Sequence, residues 1–315
     1  MSSPRRHGPS GGRRRRLHGD DLYFQFRRSP SAMAAVVVAL VLLAVAMFAP
    51  WLAPHDTTDI ATIDLMDAFL PPAWSDGGNE TFPLGTDGQG RCILSSIMFG
   101  LRISLIVGVS AVAIAAVAGT LLGLVAGYFN GWLDSLIMRI ADIQLTFPSI
   151  LVALLFDGIV RAILTAATAR EFRIVVLTLA IAASQWVNFA RTVRSSTLVE
   201  RNRDYVQAAQ LIGLHPMKIL LRHVLPNVIN PVLVIGTLSL AIAILTEATL
   251  SFLGVGMPAT NPSLGTMIRI GNNFLLSGEW WMIVFPSAVL VLLVLAVNLL
   301  GDWLRDALNP KLRRR

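Results

Sequence analysis

One ionisable residue lies deep in an apolar stretch and is the first candidate for chemistry. Glu247 sits in the run Ile242-Ala-Ile-Leu-Thr-Glu-Ala-Thr-Leu250. A carboxyl group inside a bilayer is costly and often marks function, so Glu247 is a candidate residue of a transport pathway. The alternative, which we favour, is a structural hydrogen bond with a Ser or Thr on a neighbouring helix.

Residues 191–226 form a second candidate region, between two apolar stretches. Asp204 can N-cap a short helix over 205–212, and Gly213 suits the left-handed residue after a helix end. Pro216 can begin a second short helix. The sequence therefore predicts an ordered loop with two small helices.

The first of these helices is amphipathic. Four residues share one side at helical spacing: Val206, Ala209, Gln210 and Gly213. Small Ala208 and Ala209 leave a surface against which another protein can pack. We interpret it as a docking helix. The alternative is a helix on the lipid surface, which Tyr205 as the single large aromatic side chain would anchor only weakly.

Motifs of self-sufficient enzymes are missing. The sequence holds no G-x-x-x-x-G-K-[ST] phosphate loop, no H-E-x-x-H pair and no G-x-S-x-G elbow. A single cysteine, Cys92, allows neither an intrachain disulfide nor a Cys-based zinc site. We therefore expect no catalytic residue and no metal. A membrane-embedded enzyme would need a catalytic cluster, and a secondary carrier with Glu247 as proton site would be supported by an internal repeat; we find neither.

Composition points to a membrane protein. Hydrophobic residues make up 54% of the 315 and charged residues 14%, against about 25% charged in soluble domains. An ordinary soluble enzyme and a disordered chain are both disfavoured. The net charge is +7, and arginines crowd both ends. Because these basic runs flank long apolar stretches, a membrane is favoured over nucleic acid as the partner.

Six apolar stretches are long enough for helices that cross a bilayer. They cover residues 33–52, 103–129, 136–156, 174–190, 228–253 and 281–300. The first could instead be a signal peptide or, with its Arg-rich tail, a transit peptide. Its apolar run of about 20 residues is long for a signal peptide, and we favour a span.

Basic residues set the expected orientation. With a cytoplasmic N-terminus, the inner segments hold 20 Lys and Arg residues and the outer segments hold 5. We therefore expect both termini to be cytoplasmic. The Arg-rich tail could also touch anionic lipid.

Small and charged residues indicate how the spans pack. Gly119, Gly123 and Gly127 line one face of the second span and allow close approach of another helix. Asp142 and Arg139 are three residues apart, which favours a pair within one helix. Asp157 lies at the end of the third span, where we expect solvation at the interface.

Several motifs together resemble one family. The pattern Gln207-Ala208-Ala209-x3-Gly213-x11-Leu225-Pro226 resembles the EAA loop of binding-protein-dependent ABC importer permeases. Other stretches resemble its dipeptide, oligopeptide and nickel branch: Pro83 to Arg91, Gly100 to Gly108, Gly123 to Asp134, Arg203 to Val206, Glu247 to Gly254 and Asn298 to Pro310. The resemblance covers about residues 25–312.

The resemblance implies an all-α polytopic membrane protein with six transmembrane helices and the type I ABC importer permease architecture. Its docking helix would couple to an ATPase through six residues: Asp204, Tyr205, Gln207, Ala208, Ala209 and Gly213. Its extracytoplasmic loop would face a binding protein through Leu84, Gly85, Thr86, Asp87 and Arg91.

It also implies an assembly in the bacterial inner membrane. The chain would form half of a translocation pathway with a second permease subunit, two ABC ATPase subunits or domains, and an extracytoplasmic substrate-binding protein. ATP and magnesium would bind to the ATPase, and no cofactor to this chain. Relatives in the family carry dipeptides, longer peptides, nickel complexes, haem, opines and glycosides.

Two positions depart from the family pattern. Gln207 replaces the first glutamate of the EAA motif, which removes a charge from the docking helix. Cys92 replaces an acidic residue, and we expect its thiol to be accessible outside the membrane.

The expected organisation has five parts. They are an Arg-rich cytoplasmic tail (1–32), a first transmembrane helix (33–53), an extracytoplasmic loop (54–100), a five-helix core (101–303) that contains the coupling loop 191–226, and a basic tail (304–315).

Overall fold

The computed structural model describes residues 29–57, 63–163 and 172–308. Most of the predicted basic tails, 1–28 and 309–315, lie outside the described residues. The described chain is helical and contains no named strand, with one isolated bridge between Thr86 and Cys92. The expectation of an all-α membrane protein is confirmed.

The helices follow one another in the order expected from the apolar stretches. They are α1 (Pro30–Met47), α2 (Ala49–Leu52), α3 (Ile93–Phe129), α4 (Gly131–Leu145), α5 (Ser149–Ile163), α6 (Arg173–Arg201), α7 (Asp204–Leu211), α8 (Pro216–Ile219), α9 (Leu225–Phe252), α10 (Leu264–Phe274) and α11 (Trp281–Leu308). Five segments are long and apolar enough to cross a membrane: α1, α3, α6, α11 and the stretch from Pro216 to Phe252.

The third predicted span is not one continuous helix. The chain bends by 99° between α4 and α5, and the pair counts as a sixth candidate span only if both parts are taken together. Pro148 precedes α5 and disfavours helical backbone at Phe147. The break in the predicted span therefore coincides with Pro148.

Several predicted boundaries shift because the helices are longer than their apolar stretches. The loop predicted to be extracytoplasmic ends at Cys92 rather than at residue 100, since α3 begins at Ile93. The coupling loop begins after Arg201 rather than after Ala190, because α6 continues to Arg201. Likewise α11 continues to Leu308, into the predicted tail. Hydropathy locates the membrane-buried part of a helix, not its ends.

The centre of the fold is the contact between α3 and α6. A Cβ added to Gly119 would lie 2.4 Å from the Trp186 carbonyl oxygen, and one added to Gly123 would lie 2.5 Å from that of Ala190. A Cβ added to Gly127 would likewise lie too close to the Thr197 side chain. The three glycines thus line the face of α3 against which α6 packs.

A π-helix, which the sequence did not predict, connects the short helix α8 with the long helix α9. It covers Leu220–Val224, between α8 and α9. Leu220 and Val224 are buried, which fixes this turn against the bundle. π-Turns inside helices are rare and often occur at functional positions.

Candidate coupling surface

Helix α7 is the predicted docking helix, with one correction at its start. Arg203 occupies the N-cap and Asp204 is the first helical residue, so Asp204 does not cap. Its carboxylate still lies at the positive end of the helix dipole. Gly213 follows the helix with a φ of +80°, as its predicted role requires.

The two faces of α7 differ sharply. Val206 and Ala209 are buried and join the core cluster that includes Leu124 and Val193. Ala209 therefore packs against its own chain, which corrects the expectation that it forms part of the docking surface. Gln207 and Ala208 are exposed, on the opposite side.

Sequence reasoning missed the most exposed apolar residues of this region. Leu211 is 89% exposed and Ile212 is 77% exposed, at the end of α7. Two bulky aliphatic side chains beside Gln207 and Ala208 form an apolar outer surface. Helical spacing is the signal that could have identified Leu211, because it places this residue on the side opposite Val206 and Ala209. We call Gln207, Ala208, Leu211 and Ile212 the coupling surface.

Tyr205 ties α7 to two long helices. Its hydroxyl donates to Glu200 Oε2 of α6 at 2.5 Å and accepts from Asn227 Nδ2 of α9 at 3.1 Å. Asn227 also donates to the His223 carbonyl of the π-helix at 2.7 Å. Partial burial and the bond to Glu200 raise the pKa of Tyr205 to about 12. The hydroxyl is therefore protonated at any physiological pH.

Glu247 lies at the far end of α9 in a buried hydroxyl cluster. Its two carboxylate oxygens accept from Ser104 Oγ of α3 at 2.8 Å and from Ser251 Oγ at 2.7 Å. Ser263 donates to Ser251 at 3.1 Å. The carboxyl group is fully buried and makes the interhelical contact with a serine that we favoured from the sequence.

The loop before α3 is fixed by its own polar residues. Thr86 accepts from the Leu70 amide at 2.8 Å, and the Asp87 and Arg91 side chains are 2.8 Å apart. Gly85 has a φ of +81° and no room for a Cβ beside Leu70. Thr86, Asp87 and Arg91 are buried, and Leu84 is half-buried. These side chains hold the loop through bonds within the chain, and contact of the loop with a binding protein stays a prediction.

Three further expectations are corrected by burial and pairing. Cys92 is 1% exposed, so its thiol is not accessible. Asp142 pairs with Arg191 of α6 rather than with Arg139. Asp157 is buried and pairs with Arg161, rather than being solvated. Arg191 belongs to another helix, and the burial of Cys92 and Asp157 depends on packing, which local spacing does not show.

The described residues contain no group of three or more His, Cys, Asp or Glu side chains placed to hold a metal ion. The polar clusters at both ends of the bundle are instead hydrogen-bonded networks that join helices. Such networks can position helices relative to one another.

Comparison with known proteins agrees with this geometry. Residues 119–314 match the family of binding-protein-dependent transport system inner membrane components, and residues 20–72 match the N-terminal transmembrane domain of oligopeptide transport permease C.

Curated relatives are similar over nearly their whole length. The dipeptide transport system permease protein DppC of Escherichia coli is 39% identical over 93% of both chains. DppC of Haemophilus influenzae is 37% identical, over 93% of this chain and 95% of its own. The glutathione transport system permease protein GsiD of Pectobacterium atrosepticum is 36% identical, over 93% and 91%.

A solved structure shares the fold. It shows inward-facing conformations of the MetNI methionine ABC transporter, and it aligns with a TM-score of 0.54 and 20% identity over 69% of this chain and 98% of that chain. Helices, motifs and relatives therefore agree: this chain belongs to the binding-protein-dependent transport family and is a multi-pass inner-membrane permease subunit of an ABC importer, not an enzyme.

Proposed function

We propose that the coupling surface on α7 docks on an ATPase subunit and that this contact drives transport. One observation carries the proposal: a short helix holds Leu211 and Ile212 out from the protein while Val206 and Ala209 anchor it. Exposed aliphatic residues on a rigid helix are suited to insertion into an apolar cleft. Gln207 adds hydrogen-bonding capacity without a charge.

Tyr205 would pass the movement of α7 to the membrane helices. It connects α7 with Glu200 at the end of α6 and with Asn227 at the beginning of α9. A displacement of α7 would therefore pull on two spans together. The π-helix beside Asn227 is the natural point of bending.

The proposed assembly contains a second permease subunit, two ATPase subunits or domains and a substrate-binding protein. ATP and magnesium would bind to the ATPase alone. Both termini and α7 would be cytoplasmic, in line with the distribution of basic residues. The opposite end would meet the binding protein through exposed residues of the loop before α3, such as Trp74, Asp76 and Glu80.

The proposed cargo is a short peptide. Relatives that are 36% to 39% identical are named for dipeptide and glutathione transport. We place Glu247 at a helix junction rather than in the pathway, because its carboxylate is buried and bonded to two serines.

Docking can be tested by co-purification from detergent-solubilised membranes. Leu211→Asp should lose the ATPase subunit, because it places a charge in the apolar contact. Leu276→Asp is the matched control, since Leu276 is fully exposed and lies after α10, away from α7. Retention of the ATPase by Leu211→Asp at normal expression would contradict docking and favour a helix on the lipid surface.

The cargo can be tested in proteoliposomes that contain the complete transporter. A labelled dipeptide, labelled glutathione and nickel ions would be offered with the cognate binding protein. ATP-dependent uptake of either peptide supports the proposal. Uptake of nickel alone would contradict it.

A further inference from the structure

The loop between α9 and α10, residues 253–262, is bound by arginines from three separate elements. Arg91 donates to the Ala259 carbonyl at 2.5 Å, from the loop before α3. Arg161 of α5 donates to the Val255 carbonyl at 2.9 Å. Arg173 donates to the carbonyls of Gly256 at 2.8 Å and Val255 at 2.6 Å, from the beginning of α6. Charge-assisted hydrogen bonds to its backbone carbonyls therefore hold this loop in place.

A single buried carboxylate organises two of these arginines. Asp157 of α5 is 2% exposed, and its Oδ2 accepts from Arg161 Nε at 2.6 Å. Its Oδ1 lies 4.0 Å from Arg173 Nη1 and has no hydrogen-bond partner among the described residues. We call Asp157, Arg161 and Arg173 the clasp. Its carboxylate is thus incompletely satisfied.

Helix α5, which carries two members of the clasp, has few fully buried side chains, and Ile150, Leu154 and Phe156 pack against the core while partly exposed. Only Ala153 and Asp157 are buried along its length. Leu155 is 66% exposed and Ile163 is 76% exposed. A sharp break separates α5 from α4. Few buried contacts and a break at one end are features of elements that move at low cost.

The clasp and the loop that it holds lie at the opposite ends of α6 and α9 from the residues that contact Tyr205. Arg173 begins α6, and Glu200, which binds Tyr205, lies near its other end. Asn227 lies at the beginning of α9, and the clasped loop follows the end of that helix. A shift of α6 relative to α9 at the α7 end therefore strains the bonds between Arg173 and the loop.

We propose that Asp157 is a positioning residue for transport: it holds Arg161 and Arg173 on the 253–262 loop while that end of the permease is closed, and these bonds break when it opens. A permanent brace would satisfy both oxygens of its carboxylate. In the clasp, Asp157 Oδ1 has no hydrogen-bond partner among the described residues, and Arg161 is partly exposed. The backbone carbonyls that the arginines bind can accept from water instead when these bonds break. The clasp therefore holds the loop while this end is closed, and the free-energy cost of breaking its bonds is small enough for this end to open.

The test uses the complete reconstituted transporter, with ATP hydrolysis measured with and without the loaded binding protein. Asp157→Asn should raise hydrolysis without the binding protein by about fivefold, since weakening a partly buried ion pair shifts a balanced equilibrium by about this factor. Stimulation by the binding protein should fall correspondingly. Asp157→Glu should restore the dependence, because it keeps the charge.

Asp142→Asn is the matched control, because Asp142 also pairs with an arginine of α6 but is 56% exposed and lies away from the loop. It should leave both rates unchanged. Unaltered regulation in Asp157→Asn, with normal assembly, would overturn the proposal. An equal effect of Asp142→Asn would do the same, since it would assign the change to general loss of charge.

Crosslinking provides a second measurement that does not depend on the stability of Asp157→Asn. Cysteines introduced at Arg161 and Val255 would be joined by a short, reducible bifunctional thiol reagent; the native Cys92 is buried and needs no replacement. Joining them should stop uptake, and reduction should restore it. Full uptake by the joined protein would contradict opening at the clasp. Co-purification of the ATPase in both states keeps this result separate from the docking proposal.

Discussion

The two ends of the bundle differ in how their connecting segments are held. At one end, α7 exposes Leu211 and Ile212 and is tied to the spans through Tyr205. At the other end, the 253–262 loop is bound by three arginines and borders the buried Glu247 cluster. One end presents exposed aliphatic side chains, whereas the backbone of the loop at the other end is held by hydrogen bonds from three arginines.

Long helices connect these two ends. Both α6 and α9 run from the coupling region to the clasp, and α3 packs tightly on α6 through its glycines. Because a Cβ at these glycines would meet α6 atoms closer than 3 Å, the two helices have no space for larger side chains at this contact. Four substitutions test this comparison, in order of decreasing expected effect.

The largest effect should come from breaking the connection between the ends. Gly123→Val places side-chain atoms where the Ala190 carbonyl is already 2.5 Å from a Cβ. Overpacking of this kind costs about 3 kcal/mol, and we expect the chain to be largely lost from the membrane fraction in quantitative blots. Gly236→Val is the control, since a Cβ at Gly236 in α9 meets nothing within 4 Å. Equal loss of both variants would contradict the close contact as the cause.

Gly213→Asp should lower transport by disturbing α7, without unfolding the protein. The residue has a φ of +80° and open space around it, so the change strains the end of α7 and adds a charge there. We expect uptake to fall about tenfold, equivalent to about 1.4 kcal/mol. Gly278→Asp, also at positive φ in open space but after α10, should retain uptake. Normal uptake by Gly213→Asp at normal expression would refute the role of α7.

Tyr205→Phe should loosen the tie between α7 and the spans. It removes the hydroxyl that bonds Glu200 and Asn227 but keeps the ring, at about 1 kcal/mol per bond. We expect about a threefold fall in substrate transported per ATP hydrolysed. Tyr128→Phe loses only a 3.3 Å bond from Gln210 and should change the ratio less.

The pH dependence of this tie follows from the Tyr205 hydroxyl. Its pKa is raised to about 12, so the folded state favours the protonated form. This contribution is full below the unfolded pKa of about 10 and is lost as the pH rises through about 12. Transport per ATP should therefore show no titration of Tyr205 near neutral pH. A Tyr205-dependent change there would contradict the proposed hydrogen bond.

The smallest effect should come from Glu247→Gln. The glutamine keeps the shape of the side chain, and the hydroxyls of Ser104 and Ser251 can rotate to pair with it. We expect intact assembly, a loss of about 1 kcal/mol in thermal unfolding and a change in uptake below about threefold. Glu247→Leu should destabilise more, because it leaves the buried hydroxyls without their acceptor. Complete loss of uptake in a stable Glu247→Gln variant would place Glu247 in the pathway.

Much of the fold is predictable because local rules govern it. The length of the apolar stretches located the spans. Gly213 indicated the end of α7, and Pro216 indicated the beginning of α8. The spacing of Gly119, Gly123 and Gly127 indicated a helix contact. The sequence predicted one continuous span over 136–156, whereas the structure has a break at Pro148, since a proline in a membrane helix can produce either a kink or a break.

The candidate site was less predictable, because burial depends on what packs from elsewhere. Ala209 and Cys92 look accessible along the sequence, and each is buried by segments distant in the chain. Asp142 has a basic neighbour three residues away, yet it pairs with Arg191. Spacing along one helix shows which residues share a face, but not which face is covered.

The sequence by itself determined the membrane class, the order of the helices and the family, since each depends on composition, periodicity or local motifs. The tertiary structure alone decided which side of α7 is free, that Asp157 is buried and lies near Arg173 of α6, and that three arginines meet on one loop. The physical reason is that hydropathy and capping act within a few residues, whereas burial and side-chain hydrogen bonds join groups as far apart as Arg91 and Ala259.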